Sequence, residues 1–208
     1  MIHSLHIGDI TFLADQIFEK LYNYPMQNEI YICVDVETAG PIPGQYAMLS
    51  IGACLVEDTS STFYVELQPD RSDYLPEALA ISGLSLDSLK EHGIAPQTAM
   101  QAFADWVKSV VPIDSRVVFV ALNAPFDWSF INDYFCRYLG NNPFGHSALD
   151  IKALYMGFTG VSWSETSMKH ISTHLLQEKH LIHNALRDAQ DQAEIFLEIL
   201  KLSQKEKN

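Results

Sequence analysis

Three short stretches of the chain place acids, and one histidine, at spacings that could do chemistry. The first reads Tyr31-Ile32-Cys33-Val34-Asp35-Val36-Glu37-Thr38. In a strand, alternate side chains share a face, so Asp35 and Glu37 stand together at its C-terminal end while Ile32, Val34 and Val36 point the other way. Two neighbouring carboxylates repel in a low-dielectric setting, and a divalent cation is the economical remedy because hard cations such as Mg²⁺ prefer carboxylate oxygen. The bland alternative is a pair of acids at a strand end facing solvent, and this fragment alone does not separate the two.

The second stretch is Asn123-Ala124-Pro125-Phe126-Asp127-Trp128-Ser129-Phe130. Asp127 falls in the first turn of a helix, on the stripe with Ile131, Tyr134 and Tyr138, so a carboxylate is turned inward among aromatics. Taken alone, an acid in a first turn is explained by the helix dipole. The third is His183-Asn184-Ala185-Leu186-Arg187-Asp188, with the acid opening the last helix and the histidine just ahead of it. An imidazole at the mouth of an acidic site can take a proton from water near neutral pH, although a histidine in that position is commonly just polar loop.

The elements that must position these residues can be read from pattern. Residues 9–22 have helical spacing, followed by a connector containing Pro25. Strands are expected at Glu29–Glu37, Ala47–Glu57 and Thr62–Gln68, with short connections that favour an antiparallel meander. A helix is expected over 98–111 and ends at Pro112; Arg116–Leu122 is a β-branched run suited to a strand buried on both faces. A helix starts near Pro125, a short strand lies near Ala148–Ile151, and the final helix runs from Asn184 to about Leu202. Strands first, then alternating strand and helix, give an α/β protein: a mixed central sheet of about five strands flanked by helices.

Composition bounds the function. The chain has 208 residues, 48% hydrophobic and 19% charged, which excludes a disordered, collagen-like or coiled-coil protein. No apolar run is long enough to span a bilayer, and the first residues lack the charge and apolar stretch of a secretion signal. Three cysteines without a Cys-x-x-Cys spacing suggest neither a disulfide framework nor a zinc ribbon, so a cytoplasmic setting is expected. The net charge of −13 argues against gripping nucleic acid through bulk positive charge. Yet residues 152–187 carry Lys152, Lys169, Lys179 and Arg187 against only Glu165 and Glu178, with four histidines among them.

In chain order, Asp-x-Glu on a strand, Asn-x-x-Phe-Asp-x-x-Phe and His-x-x-x-x-Asp form a specific set. With Ile81-Ser82-Gly83-Leu84, which looks like an Ile-x-Gly-Ile element, the sequence resembles the DEDDh 3′→5′ exonucleases, including ribonuclease T and the proofreading subunit of bacterial replicative DNA polymerase. The resemblance implies a ribonuclease H-like fold in which Asp35, Glu37, Asp127 and Asp188 hold two Mg²⁺ or Mn²⁺ ions, with His183 as general base. Thr38 and Ala39 match positions where the family's backbone approaches the terminal nucleotide, Asn123 matches a substrate-side or supporting position, and Phe126 is a further candidate for binding substrate. The implied activity is metal-dependent release of nucleoside 5′-monophosphates from single-stranded DNA or RNA 3′ ends by a two-metal-ion mechanism. Ribonuclease T acts as a homodimer, so the resemblance leaves a homodimer open. On this reading residues 1–28 are a helical extension, 29–202 the exonuclease domain and 203–208 a frayed tail.

Two features depart from the simplest family pattern: the leading segment and the Pro41–Tyr46 stretch, which lengthens the loop beside the site. Phe126, Trp128, Phe130 and Trp163 are candidates for stacking on bases, Trp163 having the least core-like surroundings. Two other readings compete. His170 and His174, at i and i+4, with His180 and His183 following, could hold zinc, although the Glu a metalloprotease needs between the first pair is missing. Alternatively the fold is kept as a non-catalytic nucleic-acid or protein interaction module, a reading weakened by the presence of all four acids and the histidine.

Overall fold

A computed structural model describes residues 28–176 and 182–205. The expected N-terminal helix over 9–22 and His180 lie outside the described residues. Five strands are present: β1 (Asn28–Thr38), β2 (Met48–Leu55), β3 (Thr62–Glu66), β4 (Ser115–Ala121) and β5 (Ala148–Asp150). They form one sheet in the order β3-β2-β1-β4-β5. The first three make the expected antiparallel meander, and β4 and β5 add in parallel beyond β1. The helices are α1 (Pro76–Ser82), α2 (Leu86–His92), α3 (Pro96–Val110), α4 (Ala124–Leu139), α5 (Ile151–Thr159), α6 (Met168–Leu175) and α7 (Ala185–Lys205). The last helix runs three residues beyond the expected end at Leu202, into the segment read as a frayed tail.

Strand alternation sorts the core into two layers. Ile32, Val34 and Val36 of β1 join Ile51, Phe103, Phe119, Phe130 and Tyr134 on the side covered by α3 and α4. Cys33 faces the other side with Cys54, Val120, Ile151, Ile171 and Phe196, under α5, α6 and α7. Asp35 and Glu37 continue the face of Cys33, so the first acidic pair emerges from beneath α7. The run read as a strand buried on both faces is fully buried only in its second half, Phe119 to Ala121, where β5 pairs with it.

Two devices fix the helices that carry the other acids. Gly52, paired with Asp35 across the sheet, lies against the start of α7: an added Cβ would sit 2.1 Å from both the Ala185 carbonyl carbon and the Leu186 nitrogen. Only a residue without a side chain admits that approach. On the opposite face the Tyr134 hydroxyl of α4 donates to Asp70 at 2.6 Å and accepts from the Met48 N–H at 2.8 Å. Tyr138 donates to the same carboxylate at 2.7 Å, and Arg137 forms an ion pair with it. These bonds hold Asp70 below its ordinary carboxylate range against the opposing effect of burial. They pin α4 to the start of β2.

The close contact at Gly52 yields a prediction. Gly52→Ala should cost about 1–3 kcal/mol of stability, because the clash is with backbone that cannot rotate away. Urea unfolding measures it, and an unchanged midpoint would contradict this packing.

Candidate active site

The C-terminal end of β1, the starts of α4 and α7 and the first turn of α5 surround a cavity of about 650 Å³. Asp35, Glu37, Thr38, Asn123, Phe126, Asp127, His183 and Asp188 all line it. Of the catalytic, metal-binding and substrate-binding residues expected from sequence, the stacking candidates aside, only Ala39 does not. It is 1% exposed, its N–H donates to the Ala47 carbonyl and its own carbonyl accepts from Leu75. Both polar backbone groups of Ala39 are bonded within the loop, and its neighbours Thr38 and Gly40 reach the wall.

Each acid is held by a different element. Asp127 is 4% exposed and its Oδ1 accepts from the Val36 N–H at 3.1 Å, so the second motif is fastened to the backbone between the two acids of the first. Asp188 is 2% exposed and its Oδ1 accepts from the Ile182 N–H at 2.9 Å, closing the loop that carries His183. His183 and Asn123 take positive φ, 57° and 69°. Such angles are uncommon outside glycine, and His and Asn are among the types that tolerate them. Ligand-type atoms of Glu37, His183 and Asp188 all lie within 4.8 Å of one another, the one such grouping of His, Cys, Asp and Glu among the described residues.

Two residues that sequence reasoning passed over support this arrangement. Gln192, four residues after Asp188 on the same face of α7 and 1% exposed, donates from Nε2 to Asp35 Oδ1 at 2.7 Å. Its Oε1 accepts from the Leu122 N–H at 2.8 Å, so one amide joins α7, β1 and the end of β4. Asp150 accepts from the Ala124 N–H at 2.7 Å and from the Ala153 N–H at 2.7 Å, capping α4 and α5 together. The Asn123 side chain does not cap α4, which leaves its amide at the cavity. The signals were there: i, i+4 spacing for Gln192 and an acid between strand and helix for Asp150.

The stacking candidates separate by burial. Phe130 is in the core, Trp128 packs edge-on against Phe119, Phe126 is half-buried on the cavity wall, and Trp163 is 52% exposed. The zinc reading finds no support: His170 Nδ1 pairs with the Ser167 hydroxyl and His174 Nδ1 with the His170 carbonyl, and no metal-type grouping includes either among the described residues.

Electrostatics show what the cavity lacks. Burial, followed by the charges of Asp127, Glu37 and Asp188, pushes Asp35 well above its ordinary range. Burial and the nearby Asp188 raise Glu37 from 4.5 to about 7. Asp127 and Asp188 are also raised, chiefly by burial, with backbone N–H groups opposing the shift. Among the described residues no lysine or arginine forms an ion pair with any of the four. Four oxygen-donor acids, mutually repelling and without a cationic partner, fit hard divalent cations.

A mixed β-sheet in this order with helices on both faces is the ribonuclease H-like fold of the DEDDh nucleases. The sequence profile of the 3′-5′ exoribonuclease Rv2179c-like domain matches residues 30–200, and the chain belongs to that family. It is a 3′→5′ exonuclease, a hydrolase acting on nucleic acid. It is 51% identical to the 3′-5′ DNA exonuclease Cap18 of Escherichia coli over 86% of this chain and 96% of that protein. It is 28% identical to the ribonuclease T of Baumannia cicadellinicola over 81% of this chain and 82% of that protein. In fold it matches the nuclease domain of 3′hExo, a DEDDh family member solved bound to rAMP, with a TM-score of 0.69, 15% identity and coverage of 85% and 94%. Exonuclease I of E. coli, solved with a dT13 oligonucleotide, matches at a TM-score of 0.66 and 16% identity, over 86% of this chain and 42% of that one.

The raised carboxyl values fix the sign of a pH effect. A carboxyl whose value rises on folding favours the folded state below its unfolded value, and that contribution is lost as pH climbs through the folded value. Metal-free protein should therefore lose stability as pH rises from about 4.5 through about 7, the interval set by Glu37. Thermal unfolding in chelator across that range checks it; stability that climbs with pH would contradict the site electrostatics.

Proposed function

We propose that this enzyme releases nucleoside 5′-monophosphates from single-stranded 3′ ends, DNA before RNA, with Asp35, Glu37, Asp127 and Asp188 holding two Mg²⁺ or Mn²⁺ ions. The observation that carries the proposal is the convergence of these four acids from three separate elements on one cavity, beside His183 and, among the described residues, without an ion pair to any lysine or arginine. Bound there, two divalent ions would supply the positive charge that in-line displacement at a phosphate requires at both the attacking and the leaving oxygen.

The chain's own residues supply the rest. His183 is exposed at the cavity and close to both Glu37 and Asp188, where its imidazole takes the proton from the attacking water as general base. Phe126 offers a half-buried ring face for the terminal base, Thr38 shapes the wall beside the sugar, and the Asn123 amide is placed to hydrogen-bond the substrate. Gln192 and the Val36 N–H keep Asp35 and Asp127 in position while charge changes around them. A cavity of about 650 Å³ suits one or two unpaired nucleotides and not a duplex end. Preference for DNA is supported by the 51% identity to an enzyme named for DNA, against 28% to one named for RNA.

Matched 5′-labelled DNA and RNA oligonucleotides test the proposal. Stepwise shortening should require Mg²⁺ or Mn²⁺, run faster on DNA, and fall at least about 10³-fold in Asp35→Ala and Asp188→Ala. His183→Ala should lose about 10²–10⁴-fold, the usual contribution of a positioned general base. Faster release from RNA would reverse the substrate assignment. Absence of nucleotide release with any metal would favour a non-catalytic binding module.

A further inference from the structure

A lysine and a tryptophan at the edge of the cavity have no part in the site described so far. Lys152, in the first turn of α5, lines the cavity, yet its ammonium forms no ion pair among the described residues although five acids, Glu77 included, share that cavity. It rests instead over the indole of Trp163, 4.2 Å from the ring centroid. At an exposed position such a contact is weak and readily exchanged for a phosphate.

Trp163 is unusual in being both exposed and fixed. It is 52% exposed, and it opens a 3₁₀ turn, Trp163–Glu165, closed by a capping box in which Glu165 accepts from the Ser162 N–H at 3.1 Å and the Ser162 hydroxyl at 2.6 Å. The buried Thr166 hydroxyl donates to the Trp163 carbonyl at 2.7 Å and locks the turn from behind. A large apolar ring exposed to water is costly unless something covers it, and on a fixed turn only the two side-chain torsions of the tryptophan are left to order when a base stacks on it. The surrounding segment is also the cationic one in an acidic protein, with Lys152, Lys169 and Arg187 among its described residues.

We infer that Lys152 and Trp163 form the subsite for the nucleotide upstream of the 3′-terminal one. The ammonium leaves the indole for a backbone phosphate, and the freed ring stacks a base of the same strand. This inference rests on the single-strand exonuclease reading above. It adds a direction: the substrate leaves the cavity over α5 and the 3₁₀ turn.

Steady-state kinetics on oligonucleotides of two to eight residues test it. For chains long enough to reach the subsite, Trp163→Ala should lower kcat/KM about 10-fold, with the loss carried by KM, while Trp163→Phe, which keeps a ring, should recover most of it. Lys152→Gln should reduce the slope of log affinity against log salt by about 0.7, the value for one phosphate of a single strand. Inhibition by a nucleoside 5′-monophosphate, which occupies the cavity that Trp163 does not line, should be the same in wild type and both Trp163 variants. Unchanged KM and salt slope would overturn the subsite, as would equal weakening of the mononucleotide. Because Asp35→Ala is inactive under the exonuclease reading whichever way these variants behave, failure of the subsite and failure of that reading give different results.

Discussion

The organising constraint is repulsion among four acids. Asp35, Glu37, Asp127 and Asp188 come from β1, α4 and α7, and each is driven toward its protonated form by burial. A chain selected only for stability would not collect them, since buried charge without a partner is among the costliest features a fold can carry. Much of the local architecture holds them in place. Gly52 lets α7 meet the sheet opposite Asp35, the Val36 N–H takes Asp127, Gln192 braces Asp35, and Asp150 caps the two helices that flank the cavity. The Asp70, Tyr134 and Met48 network does the same from the far side of the sheet.

Much of this was legible in the sequence because it is local. The period-two alternation of Ile32, Val34 and Val36 against Cys33, Asp35 and Glu37 is the alternation the two core layers show. Short connections between the first three strands gave the meander, and the acid on the aromatic stripe of α4 does face inward. What escaped was long-range. Gln192 and Asp35 are 157 positions apart, and Tyr134 and Asp70 are 64 apart; neither pairing leaves a periodic trace. The burial of β4 was overestimated for a related reason: composition records β-branched residues and not where the neighbouring strand stops.

Charge has a more specific meaning after the structure than before it. An overall −13 discourages nonspecific adhesion to long polyanions, and four of the acids responsible are gathered at the cavity. Attraction for a phosphate chain is therefore confined to what the cavity binds and to the short cationic segment beside it. That division favours engagement of a chain end over attachment along a strand, as an exonuclease needs.

Calorimetric titration of Mn²⁺ into the metal-free protein reads the demand of these four acids for cations. Saturable binding of two ions per chain is expected, with both affinity and stoichiometry reduced in Asp35→Asn and Asp127→Asn. Binding that is absent, or that is the same in wild type and both variants, would contradict it.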